Sequence, residues 1–190
     1  MDIAIIGGGA AGFMAAITAR KTNAKTNVTI FERASKVLAK VEVTGGGRCN
    51  VTNSFAAITD LKQAYPRGDK LMKRLFNVFN YKDTYRWFEQ RGVPLVTQED
   101  ECVFPKAQDS HAIINCLTRQ AASLGVKISC RSQLKDIYQT DDGRFELHFG
   151  GGEKRYFDRV IIATGGSPHA RGLVYLARMG HEIESPVLSL

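Results

Sequence analysis

The stretch that decides the fold lies at the start of the chain and reads Ile3-Ala4-Ile5-Ile6-Gly7-Gly8-Gly9-Ala10-Ala11-Gly12. A short apolar run that ends in glycines is typical of a buried parallel strand. The alanine-rich residues 10–21 then predict a helix, and Val-Thr-Ile-Phe-Glu at 28–32 predicts a second strand. Together these segments predict a βαβ unit.

The turn between the first strand and the helix has the spacing GxGxxG, which predicts dinucleotide binding. Gly7 permits the tight turn, Gly9 leaves room for a pyrophosphate, and Gly12 lets the helix pack closely on the strand. The helix start at Ala10-Ala11 directs free N–H groups at the phosphates. Glu32 lies 20 residues after Gly12, where an acid binds ribose hydroxyls, and it disfavours NADP because a carboxylate repels a 2′-phosphate.

A second glycine-rich stretch reads Thr44-Gly45-Gly46-Gly47-Arg48-Cys49-Asn50-Val51-Thr52-Asn53. Its glycines free the backbone to approach a ligand closely. Arg48 offers charge to a phosphate or an electron-rich ring, and Asn50 and Asn53 offer donors and acceptors suited to the edge of a flavin. An ordinary surface turn explains the same residues, and the sequence leaves both interpretations open.

The second half of the chain continues the α/β pattern. Residues 109–124 predict a helix and 126–130 a strand, and three short segments joined by glycine turns between 134 and 157 predict a β-meander. A buried strand then ends in Ala163-Thr164-Gly165-Gly166, a second place for close approach to a dinucleotide. The predicted fold class is therefore α/β, a Rossmann-like FAD/NAD(P)-binding domain with a central parallel sheet, helices and an inserted β-meander.

Composition narrows the function classes. The 190 residues are 44% hydrophobic and 24% charged, as in an ordinary globular protein, and no apolar run reaches the length of a membrane span. The four cysteines form no CxxC pair and the four histidines share no metal spacing, so we expect a cytoplasmic protein without a metal site. Seven bases and three acids lie between Pro66 and Arg91. This excess of positive charge indicates a surface for phosphates or nucleic acid, or else a solvated helical face. The sequence alone favours the solvated helical face.

The order of these motifs resembles the HI0933-like, or aminoacetone-oxidase-like, family of bacterial flavoproteins. The sequence GGGRCN at 45–50 is the most specific part, and Val103-Phe104-Pro105 and residues 176–181 agree with the family pattern. The chain departs from the pattern at Leu38-Ala39-Lys40, where relatives commonly have Gly-Arg-Lys, at Cys102, and in the short stretch after Gly166. The resemblance implies an FAD domain of the two-dinucleotide-binding type.

The resemblance also implies that residues 1–190 are the N-terminal part of a longer flavoprotein, without its inserted substrate domain and its returning C-terminal segment. No catalytic residue and no metal ligand is assigned. The candidate cofactor-binding residues, all expected to contact FAD, are Gly7, Gly9, Ala10, Ala11, Gly12, Glu32, Arg33, Lys40, Gly45, Gly46, Gly47, Arg48, Cys49, Asn50, Ala163, Thr164, Gly165 and Gly166.

The expected function of the full-length protein is FAD-dependent oxidation or reduction. The resemblance implies two substrate classes: a small amine or aminoketone, and a uracil base in structured ribosomal RNA. The alternative from another class is a non-catalytic nucleotide-binding module. For residues 1–190 alone we expect folding, weak or no FAD binding, no activity, no membrane partner, and self-association through the apolar end at 186–190.

Overall fold

The computed structural model describes residues 1–166 and 170–184, so the stretch 167–169 and the end of the chain from 185 lie outside the described residues. The elements follow in this order: β1 (Asp2–Ile6), α1 (Ala10–Thr22), β2 (Asn27–Phe31), α2 (Ala39–Val43), a 3-10 turn (Thr44–Gly47), β3 (Thr52–Asn53), α3 (Leu61–Ala64), α4 (Asp69–Phe76), α5 (Tyr81–Glu89), β4 (Leu95–Thr97), β5 (Cys102–Pro105), α6 (His111–Ser123), β6 (Lys127–Ser129), β7 (Leu134–Gln139), β8 (Phe145–Phe149), β9 (Lys154–Phe157), β10 (Arg159–Ile162), a 3-10 turn (Ala170–Leu173) and α7 (Val174–Arg178).

The chain divides into two compact units. The first contains Met1–Ala39 and the residues from Leu117 on, and the second is Lys40–Cys116. None of the helices in the described part of the chain is long and apolar enough to cross a membrane.

The first unit is built on a parallel sheet with the strand order β10-β1-β2-β6. Its register aligns the last residues of all four strands in one row, which consists of Ile162, Ile6, Phe31 and Ser129. The carboxyl ends of the strands therefore form a single edge, and this is the edge where open α/β sheets bind their ligands.

The two faces of the sheet are covered differently. Because side chains alternate along a strand, Ile5 faces one side, toward α1, whose Phe13, Ala16 and Ile17 are buried. Ile6 faces the other side and packs with the three-stranded meander β7-β8-β9. The ring of Phe31 lies 4.6 Å from that of Phe149 and 5.6 Å from that of Phe157.

These observations confirm the predicted fold class, which is a Rossmann-like α/β fold with a parallel sheet, helices and an inserted meander. The predicted central parallel sheet is present with four strands. Residues 170–178 form a 3-10 turn followed by the short helix α7. The extent of the domain over 1–190 stays a prediction.

The second unit contains an element that the sequence did not predict, an antiparallel sheet with the order β3-β5-β4. Its strands span only two to four residues, too few for an alternating pattern to be recognised. Helices α3, α4 and α5 are joined by an aromatic cluster in which Phe55 contacts Tyr65, Phe76 and Tyr81 at centroid distances of 6.5, 5.3 and 5.2 Å.

Candidate nucleotide-binding site

The GxGxxG turn connects β1 to α1 at the carboxyl edge of the parallel sheet, and two of its glycines are required by the protein itself. A Cβ added to Gly7 would lie 2.3 Å from the Ala163 carbonyl oxygen, and Gly7 has a φ of +114°. A Cβ added to Gly12 would lie 2.0 Å from the Gly7 carbonyl oxygen. Both distances are impossible for real Cβ atoms, so these positions need glycine for the turn and for the helix packing.

Gly9 differs from Gly7, Gly8 and Gly12, because no described contact and no left-handed φ requires a glycine there. Its φ of −87° suits any residue, and a Cβ added to it would meet no described atom within 4 Å. The side chain would point into open space at the start of α1. An open space in this position is what a pyrophosphate on the loop requires.

The first turn of α1 is suited to an anion. The first helical hydrogen bond runs from the Phe13 N–H to the Gly9 carbonyl at 3.0 Å, so the N–H groups of Ala10, Ala11 and Gly12 have no partner within the helix. No acidic residue lies in this turn, while Arg20 and Lys21 lie in the last turn. The helix dipole and the free N–H groups therefore favour a negative charge at this end.

Glu32 follows β2 directly and is held by two backbone groups. Its Oε2 accepts a hydrogen bond from the Gly8 N–H at 2.8 Å, and its Oε1 accepts one from the Ala34 N–H at 2.8 Å. Each carboxylate oxygen keeps a further lone pair, which is the capacity that ribose hydroxyls would use. Glu32 thus combines the predicted ribose-binding position with a contact that stabilises the glycine turn.

The Gly8 peptide is clamped from both sides, a feature that the sequence did not indicate. Its N–H is bound by Glu32, and its carbonyl accepts a hydrogen bond from the Leu38 N–H at 2.7 Å. A Cβ added to Gly8 would lie 2.7 Å from Cγ1 of Val37. Leu38 is buried and has a φ of +58°, a conformation that glycine adopts freely and leucine rarely does. The only sign of this arrangement in the sequence was the position of Leu38, where relatives commonly have glycine.

The third motif joins the first at the same edge. The Ala163 N–H donates to the Ile6 carbonyl at 2.8 Å, and the Cα of Thr164 would lie 3.0 Å from a Cβ on Gly7. Thr164, Gly165 and Gly166 are exposed there. The buried Tyr175 hydrogen-bonds the Thr164 side chain, and burial raises the pKa of the Tyr175 hydroxyl. The fold therefore brings together Gly7–Gly12, Glu32 and Ala163–Gly166, while Arg33 is exposed and forms no described contact.

The glycine-rich loop of the second unit has a different construction. Gly45, Gly46 and Gly47 have φ angles of +58°, +67° and +86°, all in the left-handed region. A Cβ on Gly45 would lie 2.7 Å from the Phe104 ring and 2.9 Å from the Asn50 nitrogen. These glycines are thus required by backbone conformation, and Gly45 also by packing.

Arg48 contributes to the shape of this second loop. Its Nε donates to the Gly45 carbonyl at 3.0 Å, and its guanidinium lies 4.3 Å from the centroid of the Phe104 ring. A further hydrogen bond of 3.3 Å reaches the Gln108 side chain. Phe104 and Gln108 were not among the predicted residues. The assignment of Arg48 to a phosphate or a flavin stays a prediction.

The remaining predicted residues of the second unit take distinct positions. Cys49 is buried with a φ of +63°, and desolvation raises the pKa of its thiol despite a hydrogen bond with Thr44. Lys40, Gly46 and Asn50 are exposed. Across residues 1–166 and 170–184, no group of three or more His, Cys, Asp or Glu side chains is placed to hold a metal ion.

The parallel sheet, the GxGxxG turn and the acid after β2 define the class of this protein as a Rossmann-like domain of the dinucleotide-binding type. The chain belongs to the HI0933-like family, because the family described as "HI0933-like protein Rossmann domain" matches residues 1–183. This confirms the resemblance that the motifs indicated.

Two relatives with curated names match most of the chain. The chain is 27% identical over 192 residues to the 3-dehydro-bile acid delta(4,6)-reductase of Clostridium scindens, with coverage of 98% of the chain and 45% of the relative. It is 27% identical over 165 residues to the ribosomal RNA dihydrouridine synthase of Haemophilus influenzae, with coverage of 85% and 39%. The chain thus spans less than half the length of both relatives.

Among solved structures, the fold is similar to the 3-ketosteroid-delta4-(5alpha)-dehydrogenase of Rhodococcus jostii. The TM-score is 0.64 at 17% identity, and the alignment covers 87% of this chain and 46% of that one. At this identity the similarity supports the Rossmann-like fold.

Proposed function

We propose that this chain is the FAD-binding portion of a flavin-dependent oxidoreductase. The observation that carries the proposal is the open space at Gly9, where no described contact and no left-handed φ is a reason for a glycine. A pyrophosphate lying on the N-terminus of α1 supplies that reason. The family membership supports a dinucleotide cofactor, because the matching family is a Rossmann domain, and FAD is the dinucleotide that the family resemblance implies.

The residues of the first unit fit the adenosine half of FAD. Gly9 and the N–H groups at the start of α1 would hold the pyrophosphate, and Glu32 would accept hydrogen bonds from the ribose hydroxyls. Thr164 to Gly166 would line the same edge of the sheet. When bound, the flavin supplies the electron transfer, while the protein binds and orients it. Residues Gly45 to Asn50 of the second unit are proposed to contact the flavin portion.

The substrate is a second part of the proposal. A delta(4,6)-reductase and a dihydrouridine synthase are both names for enzymes that saturate a carbon–carbon double bond. We therefore propose reduction of a substrate double bond. A uracil base in ribosomal RNA is the favoured class because seven bases stand against three acids between Pro66 and Arg91. Oxidation of a small amine or aminoketone is the other class that the family resemblance implies.

The test begins with titration of the purified chain with FAD, followed by tryptophan and flavin fluorescence. We expect measurable but weak binding, and loss of that binding in Gly9→Val, because the new side chain fills the pyrophosphate space. Gly150→Val is the matched control, since a Cβ on Gly150, in the turn after β8, meets only ordinary contacts at 3.8 and 3.9 Å. Thermal unfolding of both variants checks that they fold.

Extending the chain to the length of its relatives should give a yellow protein that releases FAD on denaturation. Equal FAD affinity in Gly9→Val and in the unsubstituted chain would overturn the role of this loop. Binding of ADP without any flavin, in both the chain and its extended form, would select the non-catalytic nucleotide-binding module instead.

A further inference from the structure

One face of α4 is a row of basic side chains. Lys70, Lys73, Arg74 and Asn77 follow the spacing i, i+3, i+4, i+7, which places them on one side of the helix and its C-terminal turn. All four residues are exposed. We call Lys70, Lys73 and Arg74 the basic row of α4.

The opposite side of α4 is anchored in the second unit, which fixes the direction of the basic row. Met72 and Phe76 are half-buried. The Phe76 ring packs edge-on against Phe55 at 5.3 Å and against Tyr65 at 6.3 Å. The helix is therefore held through its aromatic side while the basic row faces away from the cluster.

The charge of the basic row is only partly offset by nearby acids, of which Asp69 lies four residues before Lys73. Among residues 1–166 and 170–184, Lys70, Lys73 and Arg74 form no salt bridge. Residues 60–77 contain five bases and two acids, and one of those acids, Asp60, accepts the Lys62 N–H as the N-cap of α3. The other, Asp69, lies in the first turn of α4, where the helix dipole favours it. A concentration of unpaired cations on a fixed helix is suited to a polyanion.

We infer that the basic row binds the phosphate backbone of double-helical RNA. The rings of Phe55, Phe76 and Tyr81 contact one another in the aromatic cluster, and the basic row itself contains no aromatic side chain that could stack on unpaired bases, so contact with a paired backbone is favoured over a single strand. The inference deepens the proposed function by naming the partner class. It explains why the enzyme would carry fixed positive charge that its own fold does not use.

An anionic bilayer is the competing partner, because Leu71 and Leu75 on the same helix are 57% and 48% exposed. Lys73 is two positions from each of these leucines, a rotation of about 200° on a helix with 3.6 residues per turn. A flat membrane that covered the leucines would leave Lys73 on the far side. A partner that contacts all three residues of the basic row must therefore approach from a side other than that of the leucines.

The test uses a fluorescein-labelled RNA hairpin with a long paired stem and measures polarisation with the flavin-free chain at several salt concentrations. The unsubstituted chain should bind with a steep salt dependence. The triple variant Lys70→Gln, Lys73→Gln, Arg74→Gln should bind at least about tenfold more weakly. Its salt slope should be smaller by about one for each lost phosphate contact.

The matched control replaces three exposed lysines of the first unit, Lys21, Lys25 and Lys127, with glutamine. It lowers the net charge equally and should bind like the unsubstituted chain. Equal losses in the two triple variants would show an effect of bulk charge and overturn the assignment. Circular dichroism of both variants confirms that they fold.

Further probes separate the remaining partners. Tighter binding of single-stranded RNA, equal binding of a DNA duplex, or binding of phosphatidylglycerol vesicles without binding of the hairpin would each overturn the inference. Because the assay contains no flavin, its failure leaves the proposed FAD site standing. In the same way, failure of FAD titration leaves the hairpin result standing.

Discussion

The two glycine-rich loops of this protein use glycine for different physical reasons. In Gly7–Gly12 the backbone approaches other backbone so closely that a Cβ on Gly12 would lie 2.0 Å from a carbonyl oxygen. In Gly45–Gly47 all three residues take left-handed φ angles, and a Cβ on Gly46 would meet no described atom within 4 Å. The first loop depends on contact and the second on conformation.

The comparison also distinguishes the glycines that the fold requires from Gly9, which is available for contact with a ligand. Gly7 and Gly12 are accounted for by the protein, and so are the glycines of the second loop. Gly9 alone in the first loop has an ordinary φ and an open side. A glycine without a structural requirement is the position where ligand binding should be sought first.

The largest effect is expected at Gly12. Because its Cβ would collide with the backbone of Gly7, Gly12→Ala must shift either the loop or α1, and we expect a loss of unfolding free energy on the order of 3–5 kcal/mol. Urea unfolding measures this loss. The control is Gly9→Ala, which should cost less than about 1 kcal/mol. Similar losses in the two variants would remove the distinction between these glycines.

Substitution of Glu32 tests whether FAD binding depends on the side chain that accepts a hydrogen bond from the first loop. Glu32→Ala leaves the ribose hydroxyls and the Gly8 N–H without their acceptor, so we expect FAD affinity to fall by about 1–3 kcal/mol. Fluorescence titration measures the affinity. Glu153→Ala, which removes an exposed acid of the meander, is the control and should bind as tightly as the unsubstituted chain. An unchanged affinity in Glu32→Ala means that another residue binds the ribose.

A smaller effect is expected in the second loop. Gly46→Ala meets no atoms and carries only the cost of a left-handed φ, about 1–2 kcal/mol of unfolding free energy. Gly46→Asn should cost less, because asparagine tolerates this conformation better than alanine. Urea unfolding of both variants checks the order. A larger loss for asparagine than for alanine would indicate a steric requirement at Gly46.

The smallest effect concerns acid stability of the first unit. Glu146 is half-buried, and hydrogen bonds lower the pKa of its carboxyl to about 2, with the largest contribution from Lys154 and smaller ones from His148 and Tyr156. A lowered carboxylate pKa contributes stability that is present above the unfolded pKa of about 4.3 and is lost as pH falls through about 2.

Thermal unfolding between neutral pH and pH about 2 should therefore show a slightly smaller acid-dependent loss in Glu146→Gln than in the unsubstituted chain. The substitution of Glu146 should have little effect on the glycine turn, because Glu146 lies on β8 in the meander. An identical pH profile in both proteins would show that these hydrogen bonds do not contribute to stability.

Prediction from the sequence succeeded for the elements that are determined by residues close together in the chain. The strand β1, the helix α1 and the turn between them follow from an apolar run, glycines at fixed spacing and an alanine-rich segment. The meander was predicted from glycine turns between short strands, and it forms an antiparallel sheet. Short strands such as β3 escaped prediction because their pairing partner, β5, lies far along the chain.

The sequence by itself determined the fold class, the family and the candidate loops, because these depend on local periodicity and on residues at fixed spacing. Only the tertiary structure decided which glycines the protein needs and which one it leaves open. It also decided that Glu32 and Leu38 clamp the Gly8 peptide and that Arg48 lies on Phe104. These contacts join segments distant in the chain, and no local pattern specifies how closely such segments approach each other.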